Sequence, residues 1–496
     1  MLATAATGQL VSAAAQPGPS DPPRPHVVIL IMDEFPGDHM LRADGRVDAV
    51  RFPAFAWLAR RSHWFPEATT WSPATSIAVP AILDGRLPRT GTPPTSRGHP
   101  FSIYHALGRA GYRIVDSEET TMLCPRSLCA RLAVRSPPCR FRNCRFVGAG
   151  RIRRFERWLA TMRPTATPTL WVKHLLLPHR PWIYLPSGLR TQASGRIKGP
   201  LHGLNRFGGP SDPFLRMHNY QRHLLQLRFT DRLVGRLLDR LIRAKMFDRS
   251  LVVVTSDHGY SFTGGLTKHR RLHQANVHQI APVPLFVKMP RQRAGQRHGV
   301  YAANLDVAPT VADAVAVELG AATDGAPVLS EAVRARGSVP LADRASLPLA
   351  EFEERRDAWN RRRLRLFGSG RRGFWDGIGP NRHLVGLRVS RLPRAAGRLR
   401  AEFAFAHRLR RVRRASGVLP IQVAGDIRGR STRRRYELAL AVNGRIEAVG
   451  RSFRLPGDRV MHFAMLIPPP SLHEGRNRVE LFRVRGGTRL RLLGRL

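Results

Sequence analysis

Lysine is nearly missing from this chain: of 82 basic residues only Lys173, Lys198, Lys245, Lys268 and Lys288 are lysines. Acidic residues are also few, 35 in 496, so the net charge of +47 is an arginine charge. No run of about 18 apolar residues occurs, which excludes a bilayer-spanning helix within this sequence. There is no basic zipper, no zinc-finger spacing and no aromatic RNP-like pattern. The arginines are scattered rather than gathered in one stripe, although Glu351 to Gly450 holds 25 of them and no lysine against nine acids. A charge of this size first suggests nucleic-acid binding, but its arrangement argues against a nucleic-acid reader. It fits an arginine-biased surface with attraction to an anionic surface or substrate. Met1 to Ala15 has no positive n-region and is only weakly apolar, so it is a poor signal peptide. No internal repeat is found.

What is present is enough for real cores. A hydrophobic content of 43% with eight Trp and 22 Phe excludes disorder throughout. The length suggests two to three folding units. The four cysteines, Cys124, Cys129, Cys139 and Cys144, form two C-x4-C pairs in an Arg/Pro-rich segment. A zinc knuckle usually has C-x2-C, and no histidine lies between these cysteines. Two local disulfides stapling a loop are favoured over a zinc site, and they imply an oxidising compartment. With so poor a leader, the expectation is an extracytoplasmic or membrane-associated protein whose export or membrane segment lies upstream of Met1.

The chain divides by composition. Residues 1–25 are an Ala/Pro-rich linker, with QPGPSDPPRP extended. Three apolar runs follow, with the composition of strands buried on both faces. Val27 to Met32 ends in Asp33-Glu34, the run from Thr169 leads to His174 and His179, and Leu251 to Val254 leads into Asp257-His258-Gly259. Between them, Tyr220 to Ala244 has apolar residues at helical spacing, at Leu224, Leu227, Val234, Leu237, Leu238 and Leu241. This alternation predicts an α/β domain over 26–330, a mostly parallel sheet with helices on both faces. Leu305 to Leu319 reads as a short helix after a turn. Residues 331–379 read as an Arg-rich helical connector around EFEERRDAWNRRRLRLF. Over 380–496 the period becomes strand-like, from LRAEFAF to NRVELFRVR, with a hairpin signal at Asn443-Gly444. This tail predicts a separate antiparallel, sandwich-like accessory β domain.

In open α/β sheets, ligands bind beyond the carboxyl ends of the strands. Asp33-Glu34 and Asp257-His258 put hard and borderline metal ligands at one such edge. The segment WSPATSIAVPAILDGRLP adds a helix that starts at Ser72-Pro73 and closes at Gly85. Thr75 falls in its first turn, where free N–H groups and the helix dipole favour an oxyanion. Taken alone, Thr75 also reads as an ordinary capping residue.

The order of these motifs resembles the alkaline phosphatase/sulfatase superfamily, over Val27 to Gly325. Thr75 to Gly85 is similar, in register, to the sulfatase signature C-x-P-x-R-x5-G, with Thr75 where the modified cysteine would stand. Gly111-Tyr112-Arg113 resembles a G-Y-R-T strand start of that family, and Asp306 to Thr310 its D-x-x-P-T turn. Ile77 and Val79 replace the signature Pro and Arg, and threonine cannot become formylglycine. The closer likeness is to the phosphoglycerol and phosphoethanolamine transferases of the superfamily.

That resemblance implies an alkaline-phosphatase-like fold and Thr75 as a nucleophile carrying a covalent intermediate. It implies one divalent ion held by Asp33, Thr75, Asp257 and His258, with Glu34 as an optional further ligand. Mn²⁺ or Zn²⁺ suits the mixed N/O set best, with Mg²⁺ and Ca²⁺ also compatible. For a second metal, Asp212 with His218 has poor spacing and is not assigned. His174 and His179 are candidates to position ester oxygens or protonate a leaving group. Lys268, Arg270, Arg271 and His273 are candidates to clamp an anion, or else a solvated loop. The expectation is therefore a metal-dependent hydrolase or transferase of phosphate esters, less favourably of sulfate esters. The substrate would be an anionic ester, lipid-linked or part of the cell envelope, with the protein close to a membrane. The rivals are a sulfatase using unmodified threonine and a non-catalytic Arg-rich protein that binds anionic polymers.

Overall fold

The computed structural model describes residues 24–87, 89, 91–129, 150–192, 212–263, 272, 274–339, 347–370, 374–375, 377–429, 435–455 and 460–496. The first sheet contains β1 (Val27–Asp33), β2 (His63–Trp64), β3 (Arg113–Ser117), β4 (Thr169–Pro178), β5 (Leu251–Ser256), β6 (Leu285–Lys288) and β7 (Gln296–Arg297). Their spatial order is β3-β4-β1-β5-β6-β2-β7. Strands β3, β4, β1 and β5 are mutually parallel, and β6 runs antiparallel to β5.

Strand β1 shows why its apolar run is continuous. Val28, Leu30 and Met32 enter one core, while Val27, Ile29 and Ile31 enter the other. Side chains alternate across a strand, so a strand covered on both faces needs an apolar residue at every position. The first core takes the helices Pro53–Ala59, Arg151–Ala160 and Pro213–Arg243. The second takes Thr75–Asp84, Ile103–Arg109 and Val307–Ala314.

The long helix starts a full two turns before the apolar periodicity predicts, at Pro213. Asp212 caps it by accepting from the amides of Phe214 and Leu215, and Pro213 occupies the first turn, where it gives up no helical bond. A short hairpin of β8 (Ser338–Val339) and β9 (Leu347–Pro348) precedes a 19-residue helix, Leu349–Phe367.

The C-terminal region forms two sheets. The five-stranded one has the order β10-β17-β16-β13-β14, from β10 (Arg394–Ala396), β13 (Glu437–Val442), β14 (Arg445–Arg451), β16 (Val479–Arg485) and β17 (Arg489–Arg495). The three-stranded one is β11-β12-β15, from β11 (Arg400–Phe403), β12 (Gln422–Arg428) and β15 (Met461–Leu466). All pairs are antiparallel except β10 with β17, which is parallel. Leu438 and Leu481 of one sheet and Val423 and Phe463 of the other share one core. That core also contains Trp182, Met217, Tyr220 and Leu224 from the α/β part.

Candidate active site

The carboxyl ends of β1 and β5 are adjacent, since Met32 pairs with Ser256. Asp33 and Asp257 therefore leave the sheet side by side. Between Met32 and Asp33 the pairing with β4 slips, so that Asp33 lies opposite Pro178. Both carboxylates are buried, as is Glu34.

Asp257 is fixed from all sides. Its amide donates to the Met32 carbonyl at 2.9 Å. Its Oδ1 accepts from the amides of His258 at 2.6 Å and Glu34 at 3.2 Å. Its own carbonyl accepts from Thr70 Oγ1 at 2.5 Å and Asn304 Nδ2 at 3.1 Å. What remains is Oδ2, which accepts from Thr75 Oγ1 at 2.8 Å.

Thr75 is the first residue of its ten-residue helix, after Ala74 in extended conformation. Gly85 ends the helix with φ 70, and a Cβ there would meet Pro309 Cδ at 2.9 Å. Only glycine combines that left-handed turn with that contact. The Thr75 hydroxyl thus faces Asp257, 3.4 Å from His258 Nε2, at the positive end of the helix.

The histidines divide by tautomer. His258 Nδ1 donates to the Gly259 carbonyl at 2.7 Å, and its Nε2 lies 3.4 Å from both Thr75 Oγ1 and Asp257 Oδ2. His179 Nδ1 likewise donates to the Arg180 carbonyl at 2.6 Å, and its Nε2 lies 3.6 Å from Glu34 Oε1. Such backbone anchoring of the far ring nitrogen is what orients a metal-ligating imidazole.

His174 is different. Its Nδ1 meets Glu118 Oε1 at 2.8 Å and Thr120 Oγ1 at 3.1 Å, and its Nε2 is 3.9 Å from Asp257 Oδ2. Burial opposes charge on both partners, but their mutual bond outweighs it. Glu118 is held down at about 2 and His174 is pushed up to about 9.

Two overlapping sets can hold a cation. The ligand atoms of Asp33, Asp257 and His258 lie within 4.8 Å of one another, and so do those of Asp33, Glu34 and His179. The donors fit such an ion chemically: buried carboxylates converging on one point repel one another without a cation, and the Nε2 atoms of His258 and His179 lie beside them.

Several of these residues carried no sequence motif. Glu118 follows β3 as Asp33 ends β1, so the strand-then-acid pattern could have found it. Thr70, Ser256 and Asn304, which hold the Asp257 turn, have no such signal. Asp306 does not join the centre: Arg336 and the amides of Ala303 and Ala326 occupy its carboxylate. His218 bonds Gln422 Nε2 at 3.1 Å and Asp212 caps a helix, so the two form no second metal pair. Cys124 and Cys129 are joined as a disulfide with Cα atoms 6.2 Å apart. Cys139, Cys144, Lys268, Arg270, Arg271 and His273 lie outside the described residues.

The family model described as Sulfatase matches residues 25–317, more than half of the chain and all of the sheet just described. The chain belongs to the sulfatase family. It is thus a sulfatase-family hydrolase. Among solved structures, it is similar to a phosphonate monoester hydrolase of Agrobacterium radiobacter, at 17% identity and TM-score 0.47, covering 64% of this chain and 79% of that one. A Silicibacter pomeroyi phosphonate monoester hydrolase matches at 17% identity and TM-score 0.44, over 62% and 76%. A Bacteroides thetaiotaomicron chain described in connection with glycosaminoglycan metabolism matches at 13% and 0.46, over 66% and 83%. Among the described residues of this family member, no helix is long and apolar enough to cross a membrane.

Proposed function

We propose that this protein is a cation-dependent phosphate-ester hydrolase or phosphotransferase that works through a covalent intermediate on Thr75. The single observation that carries the reading is the Thr75 hydroxyl, 2.8 Å from Asp257 Oδ2, at the head of its helix and facing the acid–histidine centre. Asp33, Asp257 and His258 would hold a divalent ion, with Glu34 beside them. Such an ion lowers the pKa of a hydroxyl and neutralises charge on the transferred group.

The remaining steps belong to the chain. Thr75 passes its proton toward Asp257, and its oxygen forms the new bond to phosphorus as the ester P–O bond breaks. The leaving oxygen takes a proton from His174, which Glu118 keeps charged at neutral pH. Amide groups at the helix start face the phosphoryl oxygens. Water then releases the phosphate in a hydrolase, or an acceptor hydroxyl takes it in a transferase. Unmodified threonine favours phosphate over sulfate esters as substrate.

A lipid or envelope component is the proposed carrier of the ester. The Cys124–Cys129 disulfide supports an oxidising, extracytoplasmic setting, and the arginine charge supports proximity to an anionic surface. Thr75→Ala is expected to reduce turnover by at least about a thousandfold while cation uptake is retained. Parallel assays of phosphate monoesters, diesters and sulfate esters, with mass-spectrometric capture of a phosphorylated Thr75 peptide, test it. Undiminished turnover in Thr75→Ala would sink the mechanism.

A further inference from the structure

Glu34 has φ 62, the left-handed region that an unconstrained glutamate avoids. Holding a non-glycine residue there is strained and persists only where the surroundings over-determine it. The surroundings can be named. The Glu34 amide donates to Asp257 Oδ1 at 3.2 Å, and the next amide, Phe35, donates to Ser256 Oγ at 3.2 Å. The Glu34 carbonyl lies 3.1 Å from His223 Nε2. A carbonyl only accepts, so His223 must carry its proton on Nε2 and donate it there.

His223 is fully buried in the long helix and its ring has little freedom. Trp182 packs edge-on against it at 5.7 Å, Tyr260 stacks at 6.3 Å, and His39 packs edge-on at 5.7 Å. His39 is itself bonded through Nε2 to Tyr220 Oη at 2.8 Å. Tyr260 is the second residue after His258, so the wall that fixes the His223 ring is continuous with the β5 turn carrying the candidate ligands. The clamp is complete: Asp257 holds the amide of Glu34 and His223 holds its carbonyl. The result aims the Glu34 carboxylate at His179 and toward Asp33.

We infer that His223 is a positioning residue of the cation centre, acting through the backbone of Glu34 rather than by touching ion or substrate. The inference rests on the proposed reading of Asp33, Glu34, Asp257 and His258 as cation ligands. In its absence Glu34 relaxes to an ordinary backbone conformation, its carboxylate leaves the cluster, and Asp257 Oδ1 loses one of its two amide partners. Outer partners of this kind change metal affinity by roughly 10–100-fold.

The test is Mn²⁺ and Zn²⁺ titration of the metal-stripped full chain by calorimetry, with melting temperatures recorded without metal. His223→Phe keeps the ring and removes the donor; His223→Leu is a second donor-less form should Phe not fold. His223→Gln keeps an amide donor at similar reach. We expect the donor-less variant to bind roughly tenfold or more weakly and the Gln variant to stay close to the parent. In a Glu34→Gly background, where the left-handed turn needs no clamp, loss of the donor should cost clearly less. Parent-like affinity in the donor-less variants, or equal loss in His223→Gln, overturns the inference. A parent protein that takes up neither ion overturns instead the cation reading on which it rests.

Discussion

At the scale of single residues, the centre is built by assigning each polar atom one task. Asp257 spends Oδ1 on two amides, so only Oδ2 faces Thr75. His258 and His179 spend Nδ1 on carbonyls, and His174 spends Nδ1 on Glu118. That difference separates two backbone-anchored imidazoles from one paired with a carboxylate. It leads to a prediction. Glu118→Gln keeps the shape but removes the counter-charge that keeps His174 protonated. Turnover is expected to fall by at least about tenfold with esters of poor leaving groups, and less with activated aryl esters that need no acid. Cation affinity should hold, because Glu118 belongs to neither ligand set; equal losses on both esters would argue that Glu118 only supports the fold.

The acids and histidines at strand ends were legible in the sequence because chemistry-bearing types followed apolar runs abruptly. His223 was not. It occupies a position in a helical pattern, and its role depends on a left-handed turn at Glu34 that no residue type advertises. Asn304 and Thr70 were invisible for the same reason: they act on a carbonyl some distance away in sequence, and any polar residue looks alike until the chain is folded.

Among elements, the parallel core strands were readable from their runs, because burial on both faces demands them. The two-residue strands β2 and β7 carry too few residues to show a period. Strand β17, RLRLLGR, does alternate partly, but its arginines resemble the tail's general composition.

One contact between elements makes a pH prediction. Asp231 of the long helix accepts from the amides of Ala54 and Phe55, at the start of the Pro53–Ala59 helix. Burial pushes its carboxyl up to about 7, although those amides and Arg228 pull the other way. The folded chain therefore keeps a proton that the unfolded chain has lost, so this group's contribution to stability falls as pH rises from about 4 to about 7. Asp231→Asn removes that slope. Urea unfolding should show the variant gaining on the parent across this window, with a constant difference above it. A difference that does not change with pH would show that the carboxyl is already ionised at low pH.

The whole molecule gives the arginine excess a second meaning. Several arginines are not on the surface at all but bridge carbonyls of distant segments. Arg51 donates to the carbonyls of Phe367, Gly368 and Gly370 at 2.7, 2.8 and 2.8 Å and stacks over Phe374. Arg151 reaches the carbonyls of Leu176, His179 and Pro181, and Arg222 that of Trp182. A planar fork holds three acceptors in fixed, widely spread directions; a lysine ammonium offers its donors from one compact nitrogen and cannot reach the same spread. This gives a physical use for arginine over lysine that composition alone did not suggest. Arg51→Lys should therefore destabilise by roughly 2–4 kcal/mol, nearly as much as Arg51→Ala, because buried carbonyls and Asp48 lose partners in both. Chemical denaturation of the two variants decides it, and full rescue by lysine would refute the strut.

The same scale bears on how the chain is divided. Composition suggests a break near residue 379, with a tail that could stand alone. The packing runs across that break. Trp182, Leu185, Met217, Tyr220 and Leu224 share a core with Leu419, Val423, Leu438 and Phe463, and Phe214 and Leu215 pack with Ala424, Phe453 and Ala464. Gly450 lies so close to this seam that a Cβ there would come within 2.9 Å of Phe214. A chain ending at 379 would strip Phe214 and Leu215 of Ala424, Phe453 and Ala464 and His218 of Gln422, while Tyr220 would keep Phe262, Trp359 and Phe367. Exposed apolar surface costs about 25 cal/mol per Å², and a domain is stable by only about 5–15 kcal/mol. We expect the truncated chain to aggregate or melt without cooperativity and to bind the cation more weakly, since the start of the helix that clamps Glu34 would lose its partners. A soluble, cooperatively melting fragment that still takes up the ion would show instead that the α/β part is an independent folding unit and that the shared core is a docked interface.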